Sequence, residues 1–249
     1  MTASLFVVDA QRAARARVGD TLELGGPEGR HAVAAMRTQV GEHVDLSDTR
    51  GTLLHATVTS VTGREAMGLH VDGVEHVPAP QPRIVVVQAL TKGDRGEAAV
   101  ETLTEVGVDV VVPWAAQRCV VRWAGERAER GRSKWAGAAH AAGKQSRRAW
   151  FPEVRGLAGT ADVVALVRAA SRAVVLHEES TTPLREVSWP REGDVVLIVG
   201  PEGGVAPEEI EAFTAAGAVL GLMGPTVMRA STAGTVAAAV VLSATQRWA

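Results

Sequence analysis

Leu197-Ile-Val-Gly-Pro-Glu-Gly-Gly204 decides the fold of this 249-residue chain, because an apolar run passes directly into a loop of glycine and proline. A second such stretch follows, Leu220-Gly-Leu-Met-Gly-Pro-Thr-Val-Met-Arg-Ala-Ser-Thr-Ala233. Each predicts a buried strand, a loop and a helix, and glycines there let a ligand approach the backbone closely. Two such loops at strand ends are typical of a small-molecule site in an open α/β sheet. Ordinary turns are the alternative interpretation.

The C-terminal two thirds of the chain alternates apolar strands with helices, which predicts a parallel sheet flanked by helices. The expected strands are 83–90, 108–114, 173–177, 194–200 and 218–223, and the expected helices are 133–145, 162–170, 207–216 and 231–246. Another helix follows residue 94, where Asp94 and Glu97 form a capping-box pattern and Gly107 marks the end. The last helix is apolar on nearly every side, which predicts burial all round and contact with a second subunit.

The N-terminal third predicts a small β-barrel. Its expected strands are 21–24, 43–46, 52–61 and 66–74, with a helix at 30–39. Gly26-Pro-Glu-Gly29 nearly repeats the later glycine loop, but it lies between a strand and a short helix and is predicted to be a turn. His76–Pro82 holds three prolines and indicates a stiff linker. The predicted division is therefore residues 1–77, a linker at 78–82, and residues 83–249.

Charge is unevenly distributed along the chain. The net charge is −2, yet residues 118–155 hold ten basic side chains against three acidic ones. Such a segment favours a polyanionic partner, and the predominance of arginine over lysine suits RNA, although genomic bias towards arginine is an alternative explanation.

Several classes of protein find no support in the sequence. A single cysteine, Cys119, excludes an internal disulfide, and no Cys/His spacing predicts a metal site. No apolar run is long enough for a membrane span, and residues 1–9 do not resemble a signal peptide, so a cytoplasmic protein is expected. Dinucleotide, nucleoside-triphosphate and zinc-protease motifs do not occur.

Short motifs spread over almost the whole chain resemble one family in order and spacing. Besides the two loops they are Arg30-His31, Met36-Arg37, Thr91-Lys-Gly-Asp-Arg95, Glu105-Val-Gly107, Pro113 with Arg118, Gln145-Ser-Arg147 and Leu176-His-Glu178. Together they resemble the RsmE-type 16S ribosomal RNA uridine N3-methyltransferases of the SPOUT (trefoil-knot) class. Thr226 and Ser231 depart from the family pattern, which has Arg and Glu there, whereas Gly224, Arg229, Thr232 and Ala233 fit.

The resemblance implies an α/β SPOUT domain with a C-terminal trefoil knot, preceded by a PUA-like RNA-binding barrel. It implies methylation of N3 of a uridine in 16S ribosomal RNA, uridine 1498, by a homodimer acting on the small ribosomal subunit. The expected cofactor is S-adenosyl-L-methionine, which glycine loops can hold without a phosphate cradle. The expected cofactor-binding residues are Leu176, His177, Glu178, Val199, Gly200, Pro201, Glu202, Gly203, Gly204, Leu220, Gly221, Met223, Gly224, Val227, Met228 and Thr232.

Arg229 is the expected catalytic residue, because a cation beside the base would stabilise the N3 anion of uridine. A structural C-cap or an ion pair with Glu202 is the alternative role, and His177 is alternatively a structural strand-end histidine. No general base is evident. The expected RNA-binding residues are Arg30, His31, Arg37, Lys92, Arg95, Arg118, Gln145, Arg147 and Arg148.

Two other functions stay open at this point. One is another SPOUT activity, such as ribose 2′-O-methylation. The other is a ribosome-binding factor without catalytic activity, which the departures at Thr226 and Ser231 would allow.

Overall fold

The computed structural model describes residues 3–248, which belong to two compact units. The first unit is Met1–Ala79 with Gly143–Phe151, and the second is Pro80–Ala142 with Pro152–Ala249. Met1, Thr2 and Ala249 lie outside the described residues, so the expectations for the extreme ends of the chain, including part of the signal-peptide argument, fall outside them as well.

The first unit is a five-stranded mixed sheet in the order β1-β3-β4-β5-β2, in which β1 and β3 run parallel and the other pairs antiparallel. Phe6, Leu54 and Met67 lie in its core, each at most 1% exposed. The sequence predicted β2 to β5 but missed β1 and α1. The elements are β1 Ser4–Val7, α1 Ala10–Arg15, β2 Thr21–Leu24, α2 Gly26–Arg30, a π-helical turn His31–Ala35, β3 His43–Ser47, β4 Thr52–Thr62 and β5 Ala66–His76.

The prediction of a turn at Gly26-Pro-Glu-Gly29 is wrong, because these residues form helix α2. Pro27 lies in its first turn, where a backbone N–H would make no hydrogen bond within the helix, so proline is tolerated there. Gly29 packs against the preceding strand so closely that a Cβ there would lie 2.4 Å from the Leu24 carbonyl oxygen. The helix expected at 30–39 therefore begins earlier, and it ends in the π-helical turn at Ala35.

Residues 143–151 belong to the first unit although they lie far along the chain. Gly51 N–H donates to the Ala149 carbonyl at 2.9 Å. Trp150 donates from its indole N–H to the Val77 carbonyl, also at 2.9 Å. These bonds attach the segment to the ends of β4 and β5.

The second unit contains a six-stranded sheet in the order β11-β9-β10-β6-β7-β8, with every pair parallel, as predicted. Its central strands are buried valine-rich runs, which is expected when helices cover both faces. The elements are β6 Arg83–Ala89, α3 Arg95–Val106, β7 Val110–Trp114, α4 Glu126–Gln145 (whose end joins the first unit), β8 Glu153–Val154, α5 Thr160–Ala169, β9 Arg172–Leu176, β10 Asp194–Val199, α6 Pro207–Ala215, β11 Val219–Gly221 and α7 Ala230–Ala244.

Helix α3 begins without the predicted capping box. Asp94 has helical backbone angles, φ −85° and ψ 0°, and its side chain accepts no capping hydrogen bond. A side-chain cap typically has an extended backbone at that position. The Asp94 and Glu97 pattern of residue types was therefore not enough to predict the capping box. The predicted end is confirmed: Gly107 adopts a left-handed conformation with φ 113°.

Within the single chain helix α7 is fully buried on one face only, and burial of its other side against a second subunit stays a prediction. Ala237, Ala238 and Val241 are fully buried. Val236 and Val240 are partly exposed, although both are apolar, and Val240 also packs against the core. The helix therefore presents a second apolar face that the rest of this chain does not fully cover.

Candidate active site at the carboxyl edge of the parallel sheet

All strands of the second unit are parallel, so their carboxyl ends lie along one edge of the sheet, where ligands bind in open α/β folds. The loops after β6, β7, β9, β10 and β11 meet at this edge. Because β6 and β10 are neighbours, the loop at 90–94 and the glycine loop at 200–206 begin side by side.

The glycine loop is held by two arginines from neighbouring loops. Arg118 donates from Nη1 to the Gly203 carbonyl at 3.1 Å. Arg95, at the start of α3, pairs with Glu202 across 3.6 Å. Gly204 closes the loop with φ 74°, a left-handed conformation that glycine adopts without strain, and donates to the Pro201 carbonyl at 2.9 Å.

Two adjoining cavities lie at these loops and share His177 and Glu178. The strand-end cavity, of about 250 Å³, is lined by Leu176, His177, Glu178, Leu222, Met223, Gly224, Pro225, Thr226, Val227, Met228 and Ala233. The glycine-loop cavity, of about 700 Å³, is lined by Arg118, His177, Glu178, Glu179, Glu202, Gly203, Gly204, Val205, Pro207, Ile210, Glu211 and Thr214. The structure thus brings both predicted loops together with the segment after β9.

The two cavities differ in chemistry. The strand-end cavity is lined largely by apolar side chains, among them Leu176, Met223 and Met228. The glycine-loop cavity carries four carboxylates, Glu178, Glu179, Glu202 and Glu211, against the single guanidinium of Arg118. Such a surface attracts a cation and repels a polyanion.

Two glycines at the site have no packing reason to be glycine. A Cβ on Gly203 would make only ordinary contacts, the nearest at 3.5 Å to Arg118, and one on Gly224 would meet nothing within 4 Å. Gly200 and Gly221 differ, since a Cβ there would lie 2.7 Å from a valine side chain. Gly203 and Gly224 therefore leave open space beside bare backbone, which suits the close approach of a ligand.

Six of the predicted cofactor-binding residues do not line either of the two cavities. They lie at buried strand ends, in the first turn of the glycine loop or on the exposed side of α7: Val199, Gly200, Pro201, Leu220, Gly221 and Thr232. The other ten line one cavity or both. Of the two departures from the family pattern, Thr226 lines the strand-end cavity and Ser231 is half-buried in the first turn of α7.

Arg229 directly follows the strand-end cavity and caps the start of α7 with its backbone. Its carbonyl accepts hydrogen bonds from the N–H groups of Thr232 and Ala233, both at 2.9 Å. Its side chain is exposed and has no hydrogen-bond or ion-pair partner among residues 3–248. The suggested ion pair with Glu202 does not form, because Glu202 pairs with Arg95.

His177 makes a local structural contact as well as lining both cavities. Its Nδ1 accepts a hydrogen bond from the Glu179 N–H at 3.2 Å, which closes the turn after β9. Its own N–H donates to the Gly221 carbonyl at 3.1 Å. This geometry supports the structural alternative, with the ring forming part of the cavity wall.

Sequence analysis missed Glu209, the buried carboxylate that connects the loops of the site. Glu209 is 4% exposed and accepts three hydrogen bonds, from Gln117 N–H at 2.9 Å, from the Thr160 hydroxyl at 2.8 Å and from Ala206 N–H at 3.2 Å. Gln117 precedes Arg118, and Ala206 ends the glycine loop. The sequence does place a glutamate at the third position of a helix, but this pattern predicts only a cap of that helix and not a contact with other loops.

Cys119 is not a nucleophile of this site. Burial raises the pKa of its thiol, and Sγ lies 3.8 Å from the Trp114 carbonyl, which accepts its weak hydrogen bond. A buried thiol with a raised pKa has little thiolate character and so is unreactive.

The expected RNA-binding residues divide between the two units. Lys92, Arg95 and Arg118 lie at the carboxyl edge of the sheet, in the loops after β6 and β7 or at the start of α3. The remaining six belong to the first unit, and five of them are exposed while Arg148 is half-buried: Arg30, His31, Arg37, Gln145, Arg147 and Arg148.

A parallel sheet with two glycine loops at its carboxyl edge suits a small-molecule site, and comparisons with known proteins identify the class as the RNA methyltransferases. The family model for an RNA methyltransferase domain matches residues 78–242, and that for an RNA methyltransferase PUA domain matches residues 24–66. The chain is 40% identical over 252 residues to ribosomal RNA small subunit methyltransferase E of Mycobacterium tuberculosis, covering 100% of this chain and 94% of that one. The chain belongs to the ribosomal RNA small subunit methyltransferase E (RsmE) family.

Further relatives and solved structures extend the comparison. The Bacillus subtilis enzyme of the same name is 26% identical over 221 residues, 86% of each chain. A protein of Legionella pneumophila, solved with the bound cofactor SAM, matches with a TM-score of 0.84 at 26% identity, over 98% of this chain and 99% of that one. The Neisseria gonorrhoeae methyltransferase E bound to S-adenosyl methionine shares the fold, with a TM-score of 0.84 at 22% identity over 97% and 98% of the two chains.

Residues 3–248 contain neither a membrane-spanning helix nor a metal-binding cluster. No helix in this range is long and apolar enough to cross a membrane. No group of three or more His, Cys, Asp or Glu side chains in the same range is placed to hold a metal ion.

Proposed function

We propose that this protein transfers a methyl group from S-adenosyl-L-methionine to N3 of one uridine in 16S ribosomal RNA of the small ribosomal subunit. The observation that carries the proposal is the pair of joined cavities, one apolar and one acidic, with Arg229 next in the chain after Met228 of the apolar one and unpaired among residues 3–248. Relatives named for methylation of small-subunit ribosomal RNA support the substrate class. Uridine 1498 as the target rests on the family resemblance.

The residues of the two cavities fit the cofactor. S-adenosyl-L-methionine supplies an activated methyl group on a positively charged sulfonium. Glu178 and Glu202 would favour that positive charge, and Leu176, Met223 and Met228 would bury its apolar parts. Gly203 and Gly224 leave the space in which backbone N–H and C=O groups would contact it.

Arg229 would stabilise the substrate rather than the cofactor. Uridine N3 bears a proton, which would leave to solvent as N3 bonds to the methyl carbon and the bond from that carbon to the cofactor sulfur breaks. A fixed cation beside the base lowers the free energy of the developing N3 anion, an effect worth about 10²-fold or more in rate for one preorganised donor. Since the Arg229 side chain has no partner among the described residues, its charge is free for this role.

The test is methyl transfer to small subunits from cells that lack this protein, followed by mass analysis of the nucleosides. We expect N3-methyluridine, and an Arg229→Ala variant that binds cofactor normally but transfers methyl about 10²-fold more slowly. Arg229→Lys should recover part of the rate, since it keeps the charge but not the planar fork. Arg168→Ala removes an exposed arginine of α5 outside both cavities and serves as the matched control.

Three results would contradict the proposal. A ribose-methylated product would indicate the 2′-O activity, and no cofactor binding in calorimetry would indicate a ribosome-binding factor. A folded Arg229→Ala variant with the parental rate would assign Arg229 a structural role.

We also propose that the protein works as a homodimer, with residues 1–77 acting as the PUA-like RNA-binding domain and 78–82 as the linker to a knotted domain at 83–249. The partly exposed apolar face of α7, which includes Val236 and Val240, is the surface that a second copy would cover. Val236→Glu should produce monomers in light scattering, whereas an active wild-type monomer at micromolar concentration would refute the homodimer.

A further inference from the structure

A third cavity, here called the tryptophan cavity, lies between the start of α3 and the first half of α4, all within the second unit. Its volume is about 560 Å³, and its walls include Thr91, Glu97, Trp123, Arg127, Arg130 and Lys134. This volume lies within the about 300–1,000 Å³ typical of small-molecule sites. No residue of the two cavities described above lines it.

Two indole rings form the wall of the tryptophan cavity in a fixed arrangement. Trp123 meets Trp135 edge to face, with 5.2 Å between ring centroids and 73° between planes. Trp135 is buried, whereas Trp123 is half-buried. The backbone of α4 approaches Trp123 so closely at Gly131 that a Cβ there would lie 2.5 Å from the ring. The cavity thus offers a rigid, partly open aromatic surface, on which a base can stack.

The charge of the tryptophan cavity is opposite to that of the glycine-loop cavity. Three cations, Arg127, Arg130 and Lys134, face one carboxylate, Glu97. Arg130 forms an exposed ion pair with Glu126 at 3.4 Å, but Arg127 and Lys134 have no ion-pair partner among residues 3–248. Free cations beside an aromatic ring suit a phosphate with its attached base.

Thr91 supplies an independent sign of a ligand. Its side chain is 6% exposed, and its hydroxyl has no hydrogen-bond partner among residues 3–248. A buried polar group without a partner is costly, and such groups are rare in folded proteins. Thr91 lines the tryptophan cavity, so a polar ligand bound there would complete its hydrogen bonding once rotation of the side chain turns the buried hydroxyl to the cavity.

The tryptophan cavity borders the proposed active site through one loop. Thr91 and Gly93 line the cavity, and Arg95, two residues further on, pairs with Glu202 of the glycine loop. A strand of RNA that crosses the carboxyl edge of the sheet to reach the cofactor would therefore bring a neighbouring nucleotide towards this cavity.

We propose that the tryptophan cavity binds a nucleotide of the substrate RNA that flanks the methylated uridine, a step that rests on the function proposed above. The base stacks on Trp123, Arg127 and Lys134 contact the phosphate, and the Thr91 hydroxyl hydrogen-bonds to the nucleotide. The cavity thereby holds the RNA strand while the acidic cavity is left to the cofactor.

The test is the affinity of variants for small subunits from cells that lack the protein, with cofactor affinity and thermal unfolding measured alongside. Arg127→Ala with Lys134→Ala should weaken binding and reduce the log–log salt slope by about 0.7, the contribution of one single-strand phosphate. Trp123→Ala should weaken binding about 10-fold, and Trp123→Phe should restore most of it. Cofactor affinity should not change.

Thr91→Val keeps the shape of the side chain, so it still tests the site if the Trp123→Ala variant does not fold. It should weaken RNA binding about 5-fold, the scale of one hydrogen bond, whereas a purely structural residue would leave RNA affinity unchanged. Arg168→Ala is again the control. If every folded variant binds small subunits with the parental affinity and salt slope, the nucleotide site is wrong, whereas the proposed function is unaffected. Failure of the unaltered protein to bind small subunits would overturn the proposed function and this inference together.

Discussion

Replacing Glu209 tests whether one buried carboxylate positions the loops of the active site. Glu209→Ala removes the acceptor of three hydrogen bonds, and the largest loss falls on the Ala206 N–H, because Ala206 is only 2% exposed. An orphaned buried donor costs about 1–3 kcal/mol, and each of the other two bonds contributes about 1 kcal/mol. Gln117 is exposed, so water can replace part of its bond.

We therefore expect Glu209→Ala to lower the free energy of unfolding by about 3 kcal/mol, a fall in melting temperature of about 6–12 °C for a chain of this length. Cofactor affinity should fall as well, because Gln117 precedes the arginine that holds Gly203, and Ala206 ends the glycine loop. Glu209→Gln should have a smaller effect on both measurements, since its amide keeps one oxygen acceptor.

Thr160→Val is the matched control, because it removes one donor to Glu209 from α5 and leaves both site loops attached. It should lower stability by about 1 kcal/mol without changing cofactor affinity. Thermal unfolding and calorimetric titration measure the two quantities separately. A Glu209→Ala variant with lowered stability but parental cofactor affinity would show that this carboxylate supports the fold and does not position the site.

Three further predictions concern other parts of the chain. Gly203→Val should abolish cofactor binding without unfolding the protein, because the valine side chain fits within the loop but occupies the space of the ligand. If calorimetry shows the parental affinity for the cofactor, Gly203 does not belong to the site. Replacing Arg147 and Arg148 by Ala should weaken RNA binding and flatten its salt dependence without affecting cofactor affinity, and an unaltered salt slope would show that neither contacts phosphate. A hydrogen bond to Asp45 raises the pKa of His55 above 6.5, so His55 stabilises the fold below pH 6.5 and this stabilisation is lost as the pH rises through the folded pKa. His55→Gln should therefore be less stable than the unaltered protein by about 0.2–1 kcal/mol at pH 5.5 and nearly equal at pH 8.5, and a pH-independent difference in urea unfolding would refute the charge effect.

Most of the parallel sheet could be predicted from the sequence, because β6, β7, β9 and β10 are nearly continuous apolar runs and the last of them ends at a glycine. The glycine loop after β10 and the loop after β11 were located on that ground, and the structure brings them together with Leu176 and His177. The two-residue strand β8 was missed, because two residues carry no periodic pattern. Helix α1 was missed although Asp9 caps it, since its arginine-rich sequence has no apolar stripe.

Long-range contacts were beyond the reach of sequence patterns. Glu209 has the spacing of a local cap, but its bonds to Gln117 and Thr160 join elements 92 and 49 residues away. The start of α4 at Glu126 was likewise missed, because its first turns are charged, and packing of Trp123 and Trp135 there depends on the tertiary fold.

The attachment of residues 143–151 to the N-terminal unit has a consequence for synthesis on the ribosome. Phe151 N–H donates to the Thr49 carbonyl at 3.0 Å, and Lys144 contacts Glu28 at 2.8 Å, so this unit lacks part of its structure until roughly three fifths of the polypeptide has emerged. A fragment cut after Ala79 would lack those partners and expose the surfaces they cover. The first unit therefore cannot finish folding before Phe151 has been made, although most of it lies at the start of the chain, and a genetic fragment intended to isolate it must carry the later segment as well.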